Sequence, residues 1–276
     1  MQLSVEILDH VFSYLVSHRE TLIACSKDPV LFPIVERHLY YHVIVNIGPV
    51  PADREPDYAF EPKRLSELVS KRPHIKHYVR ILQIQVNEFE QLDLDGTWTY
   101  FLDEAAKHLL RFPNLECIML TISEHTVHDW PLSPAFRSAL KELSLPVKEI
   151  RITGSQNFPI STFYNCKNIK HLTLSGIFED GLVGDSAFPL LKSLALDAYL
   201  SSSTRTWVKL HINELQSLKC ASSSTQMLPE LLGVCSETLK GLEIDFRNSP
   251  CKISCQLRCF TETYQILASI HFLRKD

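Results

Sequence analysis

The sequence is short of the signatures that mark common catalytic and cofactor sites. It has no Gly-x-Gly-x-x-Gly, the turn that lets backbone approach a pyrophosphate, and no Gly-x-Ser-x-Gly, the strained turn that lifts a serine nucleophile. Gly176-x4-Gly181 opens like a phosphate loop, but Leu182-Val183 follow where Lys-Ser/Thr is needed to reach phosphate and magnesium. A basic excess is missing too. The 28 Lys and Arg stand against 32 Asp and Glu, a net charge of −4, which speaks against nucleic acid as the main partner. No uncharged apolar run approaches the ~20 residues that span a bilayer, so no membrane is expected among the partners. Residues 1–15, MQLSVEILDHVFSYL, lack a basic start and carry Glu6 and Asp9 inside the apolar stretch, unlike a signal peptide. Eight cysteines in 276 residues are too few for a disulfide scaffold, and no Asn-x-Ser/Thr occurs. These absences lead to the expectation of free thiols in a reducing compartment, cytoplasmic or nuclear.

What is present is globular material, with 45% apolar and 22% charged residues, too apolar for a disordered chain. Residues 5–16, VEILDHVFSYLV, place Ile7, Leu8, Val11, Phe12 and Leu15 on one helical stripe, and Ser4 stands where an N-cap belongs. Ser17-His18-Arg19-Glu20 matches a capping box, which predicts a second helix from about His18 through Leu22 to Lys27. Asp28-Pro29 breaks it. A third helix is predicted from Phe32 to Tyr40, with Pro33 in its first turn and Ile34, Val35 and Leu39 on its apolar side. Three helices this short bury too little alone, so the stripe of the first must meet the rest of the chain or a partner.

Taken in order, Leu3-Ser4-Val5-Glu6-Ile7-Leu8, Leu15, Thr21-Leu22-Ile23-Ala24-Cys25-Ser26 and Arg37-His38-Leu39-Tyr40 resemble an F-box of the kind common in basidiomycete fungi. Such boxes start with Leu-Pro-x-Glu-Ile-Leu, continue with Thr-Leu-x-x-Cys-Ser and close on Arg-His-Leu-aromatic. Residues 65–82, LSELVSKRPHIKHYVRIL, are similar to the helix and strand entry that come after the box in that group, so the likeness covers about the first 85 residues. The sequence departs from the pattern at Ser4, where proline is usual, and at Phe32, where tryptophan is frequent. Its segment between Cys25 and Arg37 is also one residue short. The resemblance implies that Leu3, Ser4, Ile7, Leu8, Val11, Leu15 and Leu22 hold a Skp-type adaptor, and through it a cullin.

His42–Ile47 alternates enough for a short strand, and residues 48–62, with Pro49, Pro51, Pro56 and Pro62, read as an exposed linker. Beyond it one pattern recurs, apolar-x-x-apolar-x-apolar, starting at residues 79, 115, 147, 169, 191, 215, 239 and 267. Four consecutive gaps are 22, 22, 24 and 24 residues, inside the ~20–29 of leucine-rich repeats. The asparagine that usually stacks after the last strand leucine is missing, with Ser123, Tyr199 and Arg247 at such sites. Helices are predicted at 98–110, 133–143, 228–235 and 253–264, and a glycine-bearing loop at 175–189. The expected architecture is mixed α/β: an F-box-like module at 1–45, a Pro-rich linker and connecting helix at 46–78, and an irregular leucine-rich-repeat-like solenoid with a parallel strand ladder at 79–276. Only Arg274-Lys275-Asp276 come after the last pattern, which suggests a chain shortened relative to its family.

Metal and catalytic constellations are weak. Cys251, Cys255 and Cys259 sit four apart but lack a Cys-x-x-Cys knuckle, and His74-x-x-His77 and His125-x-x-His128 have no third ligand at a usual spacing. Asp103 and Glu104 are sequence neighbours that point different ways on a helix and cannot converge as an acid/base pair. No cofactor, metal or enzymatic activity is expected. Strand alternation instead puts Met119, Arg151, Thr173, Ala195, Lys219 and Glu243 on one face beside Glu149 and His171, as a surface for a target protein. Two functions fit: a substrate receptor of an SCF-type ubiquitin ligase, or a non-ligase interaction scaffold whose F-box has decayed into a cap.

Overall fold

Each apolar-x-x-apolar-x-apolar segment enters a strand, and each strand lies beside its sequence neighbour. The structure, a computed structural model, describes residues 4–48, 59–87, 97–122, 133–156, 158–163, 166–178, 190–245, 252–256 and 271–273. Three helices lead, α1 (Val5–Tyr14), α2 (Arg19–Cys25) and α3 (Phe32–Leu39), followed by β1 (His42–Ile47), β2 (Ala59–Phe60) and α4 (Pro62–Lys71). Then come β3 (Ile81–Val86), α5 (Thr97–His108), β4 (Cys117–Ile122), α6 (Pro134–Ser144), β5 (Glu149–Gln156) and β6 (His171–Phe178). The chain continues with β7 (Ser193–Leu200), α7 (Ser202–His211), β8 (Ser217–Ala221), α8 (Leu228–Cys235), β9 (Gly241–Asp245), β10 (Lys252–Gln256) and β11 (His271–Leu273). The protein is mixed α/β, built on an open sheet in which β2, β1 and β3 to β9 run parallel and β10 and β11 antiparallel.

β1 is buried on both faces, with Ile44 and Asn46 at 8% and 5% exposure, and from β3 to β8 burial falls chiefly on one face of the sheet. Val43, Leu82, Ile118, Ile150, Leu172, Leu194 and Leu218 form one register row, and Val45, Ile84, Leu120, Ile152, Leu174, Leu196 and Cys220 a second. Each is at most 2% exposed. Helices α4 to α8 cover these rows with Leu65, Leu102, Phe136, Trp207 and Leu231 among their contributions. Each such side chain contributes about 2 kcal/mol relative to exposure, so the rows and their helical cover are the main source of stability.

The ladder has a second repeated device at the strand entries. The carbonyl of the residue before each strand accepts two amides from the next turn of chain. Tyr41 accepts from Arg80 and Ile81, Arg80 from Glu116 and Cys117, Glu116 from Lys148 and Glu149, and Lys148 from Lys170 and His171. The series continues through Lys170, Lys192 and Gln216 to Lys240 and Gly241, at 2.8–3.1 Å throughout. These positions carry long polar side chains because their backbone turns at the sheet rim, where the side chain meets water. Asn114 and Asn168 reach back to the His77 and Leu145 carbonyls, and Thr238 to those of Asn213 and Leu215. These three precede the first apolar residue of their repeats, the opposite end from the expected asparagine.

Several expectations are corrected. The second helix is capped at His18 without a side-chain bond, so the Ser17 capping box does not form. Within the expected linker, Ala59–Phe60 add a strand parallel to β1 and Pro62 opens α4. Helix α7 occupies a connector for which no helix was expected, started by Ser201 Oγ accepting from the Thr204 amide. Residues 175–178 of the expected loop at 175–189 belong instead to β6, which pairs with β7 through Phe178↔Leu200, and residues 179–189 lie outside the described residues. Residues 252–256 of the expected 253–264 helix form β10 instead. Only residues 246–251 separate β9 from β10, whereas a parallel crossover needs a dozen or more, so β10 returns antiparallel; β11 pairs antiparallel with β10 in turn. Residues 123, 125, 128, 247, 251 and 259, with the remainder of the proposed 253–264 helix, lie outside the described residues.

One backbone position is sterically unforgiving. The β5–β6 register shifts between Ile152 and Ser155, and Gly154 there adopts φ +74, where a Cβ would sit 1.9 Å from the Ile122 carbonyl oxygen. Gly154→Ala is expected to lower unfolding free energy by about 2 kcal/mol or more. Gly233, inside α8, has nothing within 4 Å of such a Cβ, and Gly233→Ala should raise stability by about 0.5–1 kcal/mol. Urea midpoints at unchanged slope would measure both, and a shift of the same sign for the two variants would contradict this reading.

Candidate functional site

Two surfaces stand apart from the main core. The first is α1. Ser4 Oγ accepts from the Ile7 amide at 3.4 Å, and bonds from its own backbone and from Ser4 hold the Glu6 carboxyl below its usual range. Phe12, Leu22, Ile34 and Val35 make a small core of their own, against which Leu8, Leu15, Cys25, Leu31 and Leu39 pack. The expected stripe is therefore split. Leu8 and Leu15 face the small core, Leu22 is fully buried in it, and Ile7 and Val11 are exposed at 50% and 46%. Tyr14 is exposed as well and shares their side of the helix, extending an apolar strip, whereas Val5, also exposed, lies round the helix from it. Leu3 lies outside the described residues.

Polar contacts fix how this helical unit sits. Asp9 pairs with Arg37 and lies 2.7 Å from His38 Nε2, tying α1 to α3. Arg19 Nη1 donates to the His42 carbonyl at 2.8 Å. Glu36, only 5% exposed, pairs with Arg72 and lies 3.2 Å from His74, while the Arg72 guanidinium stacks over the Phe32 ring at 5.2 Å. A carboxylate this buried needs its cation, so the joint between the helical unit and the sheet holds a definite geometry.

The second surface is the sheet face away from the helices. Register aligns Gln83, Met119, Arg151, Thr173, Ala195, Lys219 and Glu243 in one row, with Glu149, His171, Ser193, Ser217 and Gly241 in the next. Arg151, His171 and Lys219 are exposed, and Met119, Thr173 and Glu243 half-buried. Arg151 Nε donates to Glu149 Oε1 at 2.7 Å, and Lys219 pairs with Glu243 at 3.0 Å. The apolar pattern ends at Leu174 and Leu196 and so misses the far ends of β6 and β7. Strands β6 and β7 run on to bring Ile177 and Tyr199 side by side on this face, with Arg205 over the Tyr199 ring.

Cys117, Glu149 and His171 occupy neighbouring strands of one row, a set of residue types that invites a nucleophile hypothesis. The thiol does not suit it. Burial, aided by the Glu149 carboxylate, pushes Cys117 up to about 12, so it stays protonated. Burial likewise raises Cys166 and Cys220 to about 11. Among the described residues no group of three or more His, Cys, Asp and Glu could hold a metal ion, and His74 is engaged with Glu36. Asp103 and Glu104 both lie on α5, where Glu104 pairs with Lys107. Among the described residues no helix is long and apolar enough to cross a membrane. No family model matches the chain, and no curated protein matches it.

The buried thiols have a measurable consequence. A pKa raised to about 11 or 12 leaves on the order of 0.1% thiolate or less at pH 8, against roughly a quarter for a free cysteine. Iodoacetamide at pH 8 should leave Cys117, Cys166 and Cys220 unmodified in the native protein and label all three in denaturant, read by peptide mass spectrometry. Rapid native labelling of Cys117 would contradict its assignment as an inert core thiol.

Proposed function

We propose that the chain is a substrate receptor of an SCF-type ubiquitin ligase. Residues 1–45 act as an F-box that docks a Skp-type adaptor, and the strand ladder acts as an irregular leucine-rich-repeat solenoid that holds a target protein. The observation that carries the reading is the apolar strip Ile7, Val11 and Tyr14, on a helix whose other side already has its own core. A helix turned this way gains more by meeting an apolar partner than by staying in water. The order of sequence elements resembling an F-box supports the identity of that partner. Ser4 keeps the helix start in place of the usual proline, since its hydroxyl supplies the cap. In this reading the chain performs no chemistry. It raises the effective concentration of the target beside a cullin-borne ligase, in the cytoplasm or nucleus.

The scaffold alternative draws on a different observation. The Glu36, Arg72, His74 and Phe32 contacts would serve equally if the helical unit only closed the first end of the sheet. Exposed side chains separate the two readings. Ile7→Asp with Val11→Asp leaves the small core untouched and puts two carboxylates into the proposed interface. The double variant should lose about 3 kcal/mol or more of adaptor binding, over a hundredfold, with its circular dichroism unchanged. Capture of a Skp-type adaptor and cullin by the original chain, and not by the variant, is the expected result. Equal capture by both, or capture by neither, would remove the ligase reading.

A further inference from the structure

The open face has an anchor of a kind its first rows lack. Strands β6 and β7 extend past the last register pair of β7 with β8, Leu196↔Cys220, and end at the pair Phe178↔Leu200. The extension is locked in place. Ser224 Oγ accepts from the Ala198 amide at 2.9 Å and donates to its carbonyl at 3.0 Å, doing for β7 what the shorter β8 no longer does. The Ser201 amide donates to the Phe178 carbonyl at 3.0 Å, and Arg205 Nε to the Leu200 carbonyl at 2.9 Å. On this held frame Ile177 and Tyr199 stand side by side, 37% and 58% exposed, with the Arg205 guanidinium 5.9 Å from the Tyr199 ring centre. A tyrosine fixed before binding loses little freedom on binding, which is why such residues dominate interfaces.

The charge around the anchor is acidic. Three carboxylates on the open positions of β7, β8 and β9, Asp197, Glu243 and Asp245, stand against two cations, Lys219, which pairs with Glu243, and Arg205 at the Tyr199 ring. Arg205 belongs to α7, where its charge also acts on Glu230. Asp197 lies two positions before Tyr199 in β7, accepting from Ser175 Oγ at 3.4 Å. Two residues along a strand span about 6.6 Å, the spacing of alternate side chains in any extended segment. Resting on the receptor reading of this face, we infer that the target presents an extended basic–x–apolar segment: a Lys or Arg set against Asp197, and an apolar side chain two residues on seated on Ile177 and Tyr199.

An array of decapeptides tests this, with one position Lys, Arg, Ser, Asp or Glu and the position two residues on Leu, Phe, Ser or Glu. The full chain should retain Lys/Arg–x–Leu/Phe members about tenfold better than Asp/Glu counterparts, with the preference shrinking between about 50 mM and about 300 mM salt. Tyr199→Ala should reduce that retention about tenfold, and Asp197→Lys should turn the preference towards acidic members, with circular dichroism unchanged in both. No basic preference, or retention unaffected by Tyr199→Ala, would overturn the inference. Adaptor capture by Tyr199→Ala is measured in parallel. Intact capture alongside a failed array leaves the ligase reading standing, and lost capture by the unsubstituted chain alongside a successful array removes that reading while keeping the peptide site.

Discussion

The structure depends on apolar side chains stacked strand over strand on a single sheet face. A parallel sheet ordinarily has helices on both faces, because its crossovers must go somewhere. Here every connector with a described helix, from α4 to α8, lies on the side of the two buried rows. The opposite face is left to carry charged and polar side chains. The strand-entry carbonyls reinforce the same spacing, since each takes two amides from the next turn and so sets the next strand about 4.8 Å away. One-sided burial thus makes both the stability and the availability of the face that Arg151, Lys219 and Tyr199 share.

The helical unit obeys a different constraint. Its core of Phe12, Leu22, Ile34 and Val35 is too small to stand comfortably alone, and it depends on the joint to β1 and α4. That joint is polar. Glu36 is buried with Arg72 and near His74, and loss of the cation would strand a carboxylate with little water around it. An apolar joint would have merged the two cores. A polar one fixes direction, so that the exposed strip of α1 and the open sheet face keep a constant relation, as the proposed receptor role requires.

Much of this was legible in residue spacing. The 22- and 24-residue gaps located the strands from β5 to β9, and Ser4 and Ser133 marked helix starts that both use the serine hydroxyl. The failures have local causes. Thr204, Trp207, Val208 and His211 keep helical spacing in α7, but the serine-rich start hid it. Ile253 and Cys255 fit strand alternation, while cysteines four apart imitate a helix face; the short return from β9 decided between them. The reach of Tyr199 onto the open face was hidden because strand ends depend on partners distant in sequence, here Phe178 and Ser224. Which apolar residues of α1 face outward also depends on packing that α2 and α3 supply, so Leu22 could be counted with the docking residues although it fills the small core.

Hydrogen–deuterium exchange of the chain, alone and with a purified Skp-type adaptor, tests the central claim most directly, because it reads both surfaces in one experiment. Adaptor binding along α1 predicts that amides of residues 4–16 slow by about tenfold or more, while those of β4 to β8 exchange as in the free chain. Unchanged exchange at residues 4–16, or protection confined to the strands, would contradict it.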